Sequence, residues 1–530
     1  MAGLSPAFRL LQTARNTGAT GLTFTLSIAV GIWFTPFLVG RMGPESYGLV
    51  MLAAVVVSYA GPVVQSLSTT LARAFAFAEA QDAAGGEPAE AQRLMDEAMG
   101  LALRIALVMA VVLVPFALLG PRLLGISTSF RPEASAILAL TGGAFVVWVL
   151  SAPFAAILFC RNRLDLGNYA QLIQTLLRVG GAVLLILWLG GQSWTIPAAG
   201  LAAAIVSMIF VWRVSAAIVP LRFSYRRWLS RRTKRFARTG SGVLLASTLT
   251  MLLLGSELLV VNYMVNETVA GRYAAAMQIP VLVRSAMLGL AAIAGPTILA
   301  HYADGEVAEA RASAADAMKR IGMVIALPTG ITLGIAPLIL TLWLGSEFAA
   351  YGPVVWLGLL GAVFTTAAMP LYALLVSADR TMLAALFRGV GLVLSLAVAL
   401  VLFRTTDLGV VSVAAGLCVG LIVPEVLLMA PLAARVTKGR LTVFLKPFGA
   451  ALAAVGVAFA LSSLLAGVWL PGNVFEICLF GAIVGVGHGA ICLTLLDRAL
   501  LVRLSTATLA ALRGRQEAHR RNRPAPGNAE

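Results

Sequence analysis

Ionisable residues lie inside several long apolar runs, where a charge is costly unless it faces a partner or a wet cavity. Arg284, Arg178 and Arg388 are cations of this kind, and Glu257 and Glu425 are carboxylates in similar surroundings. A guanidinium stays charged and its fork of N–H donors matches phosphate oxygens. A desolvated carboxylate favours its neutral form, which makes it a candidate carrier of a coupling proton or sodium ion. These five residues predict anion recognition, coupled to a small cation, within a membrane.

Each of these residues also has a structural alternative. Arg284 lies about 20 Å along its run, counted from Tyr273. It is either a cavity cation or the buried partner of Glu257, which would then be its counter-ion. Arg178 and Arg388 occupy matching places in an internal repeat. They either face each other across a cavity and grip one polyanion, or snorkel to the surface.

Two further arginines are candidates for the same anion site. Arg104 lies one to two turns inside its run, so its side chain can instead snorkel to the surface. Arg15 stands at the mouth of the first run and can equally serve to orient the chain. His301 and His488 have no ligand partners, and the four cysteines form no C-x-x-C pair, so no metal site is predicted. No paired carboxylates or Ser/His/Asp constellation indicate a catalytic site.

The composition predicts what must position these residues. The chain has 530 residues, of which 60% are hydrophobic and 12% charged, and its mean hydropathy is +0.92. We therefore expect an all-α polytopic membrane protein with about fourteen transmembrane helices. The spans are placed near residues 18–40, 47–71, 98–120, 134–160, 169–190, 195–219, 240–262, 270–300, 321–344, 351–377, 383–403, 409–431, 447–470 and 474–496.

The net charge of +16 has a topological explanation. Residues 220–239 form the densest charge run, and every charge in it is positive. Such a run stays on the cytoplasmic face, either simply to orient the chain or as a specific lipid or partner site. Alternating the spans puts most other Lys and Arg residues on this side too. We therefore expect a multi-pass protein of the bacterial cytoplasmic membrane with both termini cytoplasmic, and no nucleic-acid partner.

Three pairs of segments indicate an internal repeat. They are residues 43–47 with 269–273, residues 86–91 with 305–310, and residues 178–181 with 388–391. Six spans per copy is an even number, so the two copies have the same orientation. Two such lobes, related by an axis along the membrane normal, enclose a central cavity, and rocking them gives alternating access.

The repeat divides the chain into five parts. We expect an N-lobe of spans one to six, a basic cytoplasmic linker, a C-lobe of spans seven to twelve, two extra spans and a basic cytoplasmic tail. Their bounds are 1–219, 220–239, 240–431, 432–497 and 498–530.

Two local patterns resemble a known family. Residues 36–48 read Pro-Phe-Leu-Val-Gly-Arg-Met-Gly-Pro-Glu-Ser-Tyr-Gly, and in the second half Glu257 is followed by Gly271-Arg272-Tyr273. They resemble the Wzx-like polysaccharide flippases of the multidrug/oligosaccharidyl-lipid/polysaccharide (MOP) exporter superfamily, with the lipid II flippases as relatives. Glu257 stands where an Asp is usual. Span eleven has no carboxylate, so the sodium site of the lipid II flippases does not carry over whole.

The resemblance implies that the chain moves a polyprenyl-diphosphate-linked oligosaccharide from the cytoplasmic to the outer leaflet for surface polysaccharide synthesis. The five arginines named above would bind the diphosphate, and Glu257 and Glu425 would carry coupling H⁺ or Na⁺, with no other cofactor. Lipid-linked oligosaccharide and membrane lipids are the expected partners, with a glycan polymerase and glycosyltransferases as further candidates.

Three alternatives stand beside this reading. A drug/ion antiporter of the same superfamily would favour carboxylates in the cavity, whereas the deep charges here are mostly arginines. A membrane glycan polymerase or ligase would need a long outer loop, and the outer loops are short, so no enzyme is predicted. A structural scaffold leaves the buried arginines unexplained.

Overall fold

The computed structural model describes residues 6–59, 61–64, 66–68, 71–72, 75, 90–218 and 232–496. This part of the chain is helical and contains no strand. Its helices are α1 (Pro6–Ser58), α2 (Glu90–Leu123), α3 (Arg131–Cys160), α4 (Leu164–Leu189), α5 (Thr195–Ile218), α6 (Arg232–Met264), α7 (Glu267–Ala303), α8 (Val307–Leu344), α9 (Gly352–Ala367), α10 (Met369–Ser377), α11 (Thr381–Thr405), α12 (Val410–Val423), α13 (Ala430–Val436), α14 (Thr442–Val468) and α15 (Val474–Ile491).

Twelve helical stretches of the described residues are long and apolar enough to cross a membrane. The first of them is broken into two spans at Gly43, and the long helix α7 adds another. The prediction of an all-α protein with about fourteen spans is therefore confirmed. Most of the basic linker (220–231) and the tail (498–530) lie outside the described residues, and α6 begins at Arg232.

The first span turns into the second at a backbone break. Gly43 has φ 80 and ψ 163, a conformation that L side chains rarely adopt, and Pro44 starts the next helix. At the corresponding place in the second half, α6 ends and Asn266 caps α7 by accepting a hydrogen bond of 2.8 Å from the Val269 N–H. We call the side that holds residues 43–44 and 265–266 the kink face.

The opposite side, the basic face, repeats one turn geometry. Asn162 after α3 and Asp379 after α10 both have positive φ, at 55 and 57. In each turn the next N–H bonds a carbonyl five residues earlier, Arg163 to Leu158 and Arg380 to Leu375. The two turns are 217 residues apart and occupy the same place in each copy of the repeat.

The two lobes share a core on one side only. Toward the kink face a single cluster joins both lobes and includes Leu49, Leu52, Ile137, Val261, Tyr273 and Leu417. Toward the basic face each lobe has its own cluster. One contains Met95, Phe145 and Val149, and the other contains Met318, Leu371 and Phe444. The described residues of the two lobes therefore share one core at the kink face and form separate clusters toward the basic face, which is the predicted cytoplasmic side.

The last two long helices are attached to the C-lobe through small residues. A Cβ at Gly322 would lie 2.7 Å from the Ala451 Cβ, so α8 and α14 approach closely. The Ser462 hydroxyl on α14 donates to the Ile331 carbonyl of α8 at 3.2 Å. Close packing of small residues is a common way of joining helices in a membrane, where apolar burial offers little driving force.

A polar strap ties the start of α1 to the α3–α4 turn. Asn16 donates to the Asn162 carbonyl at 3.0 Å and accepts from the Asp165 N–H at 3.0 Å. Gln12 donates to the Asp165 carboxylate at 3.1 Å, and Arg163 forms an ion pair with the same carboxylate at 3.0 Å. The first span therefore belongs to the N-lobe at the basic face.

We expect Asn16→Ala to lower the free energy of unfolding by about 2–3 kcal/mol, because it removes four side-chain hydrogen bonds, including the one that pairs the Asp165 N–H. Asn168→Ala is the matched control, since Asn168 donates to the exposed Thr20 hydroxyl at 2.8 Å and should cost under about 1 kcal/mol. Thermal unfolding in detergent measures both. Equal losses would contradict the strap's role.

Candidate functional site

The C-lobe holds an ion pair deep in its interior. Arg388 Nη2 on α11 lies 3.2 Å from Glu425 Oε1, and the Glu425 side chain is only 2% exposed. The Arg388 guanidinium lies 5.9 Å above the ring of Tyr372 on α10, a cation–π distance. Arg388 is therefore held from two sides, by a carboxylate and by an aromatic ring.

A close helix crossing brings this pair together. A Cβ at Gly391 would collide with the Gly420 carbonyl oxygen on α12 and lie 2.7 Å from Pro424. Glu425 belongs to a π-helical turn, Pro424–Met429, between α12 and α13. Such turns insert one extra residue and occur frequently at functional sites. The crossing at Gly391 and this turn together set the distance between Arg388 and Glu425.

We expect Gly391→Ala to destabilise the fold by about 1–3 kcal/mol, because the added methyl forces α11 and α12 apart. Gly389→Ala, two residues away, is the control: its Cβ would meet Leu249 at an ordinary 3.5 Å. Alanine is also the better helix former there, so stability should stay level or rise by up to about 1 kcal/mol. Thermal unfolding distinguishes them, and an unchanged Gly391→Ala protein would contradict the crossing.

A second charged group lies on α6 and α7. The Tyr273 hydroxyl donates to Glu257 Oε2 at 2.7 Å. Arg284 is within electrostatic reach of both Glu257 and Arg388. Among the described residues, however, no carboxylate lies within 4 Å of Arg284, so it is not a close ion-pair partner of Glu257. Arg284 is therefore a cation without a close counter-ion among the described residues.

The N-lobe contributes a tyrosine to this group. The Tyr59 hydroxyl is buried, has no hydrogen-bond partner in the described part of the chain and is within electrostatic reach of Glu257. A Cβ at Gly255 would lie 2.9 Å from this hydroxyl, so the second span of the N-lobe packs directly against α6. Sequence reasoning missed Tyr59, because nothing in its own run marks it as facing the other lobe.

Arg178 lies in the N-lobe on the side of α4 that is turned away from the membrane. Leu176 and Leu187 are about half exposed, at 50% and 53%. At about 100° per residue, both lie some 160–180° around the helix from Arg178. Arg178 is exposed on the face of α4 opposite these leucines. It has no carboxylate within 4 Å among the described residues.

Arg178 and Arg388 do not occupy equivalent places, which corrects the sequence alignment. Arg178 lies 14 residues after the start of α4 at Leu164. Arg388 lies only 7 residues after the start of α11 at Thr381. The difference corresponds to about 10 Å in depth. A shared Arg-x-x-Gly pattern produced the match. Counted from the equivalent turns before the two helices, the residue that corresponds to Arg178 is Ser395.

The two other predicted arginines lie elsewhere. Arg104 is on the same face of α2 as the exposed Val108 and Val111, and its Nε donates to the Gly100 carbonyl at 3.1 Å, toward the basic face. Its Nη2 is buried and has no hydrogen-bond partner among the described residues, so the structure shows neither a snorkel to the surface nor a ligand contact. Arg15 is exposed near the start of α1.

The kink face is sealed by contacts between equivalent segments of the two lobes. A Cβ at Gly271 on α7 would collide with the Pro44 carbonyl, and a Cβ at Gly48 would lie 2.9 Å from the Gly271 Cα. The Thr268 hydroxyl donates to Glu45 at 2.9 Å. The segments that the repeat pairs in sequence thus meet in space, and only glycine fits at their crossing.

Solved structures resemble this arrangement over most of the chain. An inward-facing multidrug resistance MATE family transporter of the MOP superfamily matches with a TM-score of 0.62 and 18% identity, over 78% of this chain and 94% of its own. The lipid II flippase MurJ, in an inward closed conformation, matches with a TM-score of 0.62 and 12% identity, over 90% of this chain and 100% of its own.

The chain has the MATE/MurJ-like fold. The two solved proteins are a multidrug resistance transporter and a lipid II flippase. In sequence, the chain is 28% identical over 359 residues to the uncharacterized membrane protein EpsK of Bacillus subtilis (strain 168), covering 67% of this chain and 70% of that protein. No family model matches the chain.

Proposed function

We propose that the chain translocates a polyprenyl-diphosphate-linked oligosaccharide across the cytoplasmic membrane by alternating access, for surface polysaccharide synthesis. The observation that supports this most is the pair of deep guanidiniums, Arg178 and Arg284, neither of which has a carboxylate within 4 Å among the described residues. An uncompensated deep cation is costly unless an anion pairs with it during function. A diphosphate headgroup is such an anion, and guanidinium matches its oxygens.

The division between the lobes supports a route for this headgroup. The lobes share a core at the kink face and separate toward the basic face. Because the basic face is the predicted cytoplasmic side, the headgroup would enter there and leave after the kink-face contact opens. Glu257 and Glu425 remain the proposed carriers of a coupling H⁺ or Na⁺.

Two experiments test this function. Cells that lack the protein should accumulate inward-facing lipid-linked glycan, whereas normal surface glycan in such cells would refute the proposal. The full chain in liposomes should move a fluorescent short-chain polyprenyl-diphosphate oligosaccharide between leaflets. Raised drug susceptibility on deletion, with glycan display intact, would instead indicate the drug/ion antiporter.

A further inference from the structure

The Arg388–Glu425 pair leaves half of its carboxylate unused. Glu425 Oε1 faces Arg388 at 3.2 Å, but Oε2 is buried and has no hydrogen-bond donor among the described residues. A carboxylate buried for stability alone would be expected to have both oxygens satisfied, because an unpaired buried charge is strongly unfavourable. The Glu425 carboxylate is therefore only half paired in this conformation of the protein.

The two arginines near Glu425, Arg388 and Arg284, are also incompletely paired. Arg388 keeps 17% of its side chain exposed, so a ligand can reach it. Arg284 is within electrostatic reach of Arg388, which repels it, and of Glu257, which attracts it more strongly. Glu257, the other carboxylate nearby, is engaged by Tyr273 at 2.7 Å. A ligand that carried two negative charges and bridged Arg284 and Arg388 would remove this repulsion.

We propose that Glu425 is an internal anion that occupies Arg388 until a headgroup with two phosphates displaces it, so that the site rejects lipid monophosphates. This inference rests on the proposed function and adds a basis for its selectivity. A single phosphate on Arg388 takes the place of the Glu425 carboxylate and leaves Glu425 buried without a partner. A diphosphate also gains Arg284, and that second charge-assisted contact offsets the loss.

Glu425 acts here through Arg388, so it is a positioning residue rather than a ligand of the substrate. A purely structural pair would lose affinity for both headgroups when broken. A competing internal anion gives a different result. When Glu425 is neutralised, Arg388 becomes free, and the affinity for the monophosphate, which is the weaker ligand, rises most. The ratio of the diphosphate affinity to the monophosphate affinity therefore distinguishes a competing anion from a purely structural pair.

The test uses the full chain in detergent micelles, with farnesyl diphosphate and farnesyl monophosphate as probes in calorimetric titrations. We expect the unaltered protein to prefer the diphosphate by about tenfold or more. Glu425→Gln keeps the side-chain shape but not the charge. It should raise monophosphate affinity by about tenfold and bring the ratio close to one. An unchanged ratio, or equal weakening of both probes, would overturn the inference.

Two variants control this experiment. Glu97→Gln neutralises another buried carboxylate, 8% exposed and with an oxygen that lacks a donor, but in the N-lobe; it should leave the ratio unchanged. Glu425→Asp keeps the charge and should retain most of the preference, even if stability falls. A gain like that of Glu425→Gln in either control would overturn the inference. No binding of farnesyl diphosphate by the unaltered protein would instead contradict the proposed function itself.

Discussion

Replacing Arg284 by glutamine should reduce transport of the lipid-linked oligosaccharide by about tenfold to a hundredfold. The loss of one charge-assisted contact to phosphate is worth about 1.5–3 kcal/mol, which corresponds to this range. Stability should change by no more than about 1 kcal/mol, because no carboxylate lies within 4 Å of Arg284 among the described residues. Transport in proteoliposomes and thermal unfolding in detergent measure the two effects separately.

Arg404→Gln is the matched control for this experiment. Arg404 is an exposed arginine at the kink-face end of α11, so its replacement should leave transport within about twofold. The two roles considered for Arg284 predict opposite results. A variant that transports normally but unfolds more easily would assign Arg284 a structural role and remove it from the site.

Gly271→Ala should open the kink face. The added methyl cannot fit against the Pro44 carbonyl, so α7 and the second span of the N-lobe must separate. We expect a loss of about 1–3 kcal/mol of stability from this overpacking, although alanine favours the helix by up to about 1 kcal/mol. Gly40→Ala is the control, because a Cβ there meets nothing within 4 Å.

Cross-linking reports the opening directly. The side chains of Glu45 and Thr268 are hydrogen-bonded at 2.9 Å across the lobes, so cysteines at both positions should be joined by a short bifunctional reagent. This cross-link should lock the kink face and stop transport. In the Gly271→Ala background its yield should fall severalfold, whereas in the Gly40→Ala background it should not. Equal yields in both backgrounds would show that the glycine crossing is not the seal.

The order of the lobes was predictable, because the positions of apolar runs and turns are local properties. The break at Gly43-Pro44, the start of α7 near Gly271 and the fourteen spans all follow from run length and turn residues. The alignment of Arg178 with Arg388 was not reliable. A short pattern of Arg and Gly carries no information on depth, whereas the turns at Asn162 and Asp379 do.

The identities of the deep charged residues were also predictable, because a charge stands out in an apolar run whatever the fold. Their partners were not. Arg388 pairs with Glu425 because α11 and α12 cross at Gly391. Tyr59 comes within electrostatic reach of Glu257 because the second span of the N-lobe packs against α6 at Gly255. Helix rotation and crossing distance decide such pairs, and both depend on packing across the whole bundle. The sequence thus determined which charges enter the membrane; the tertiary structure decided which of them are paired and which, among the described residues, have no carboxylate within 4 Å.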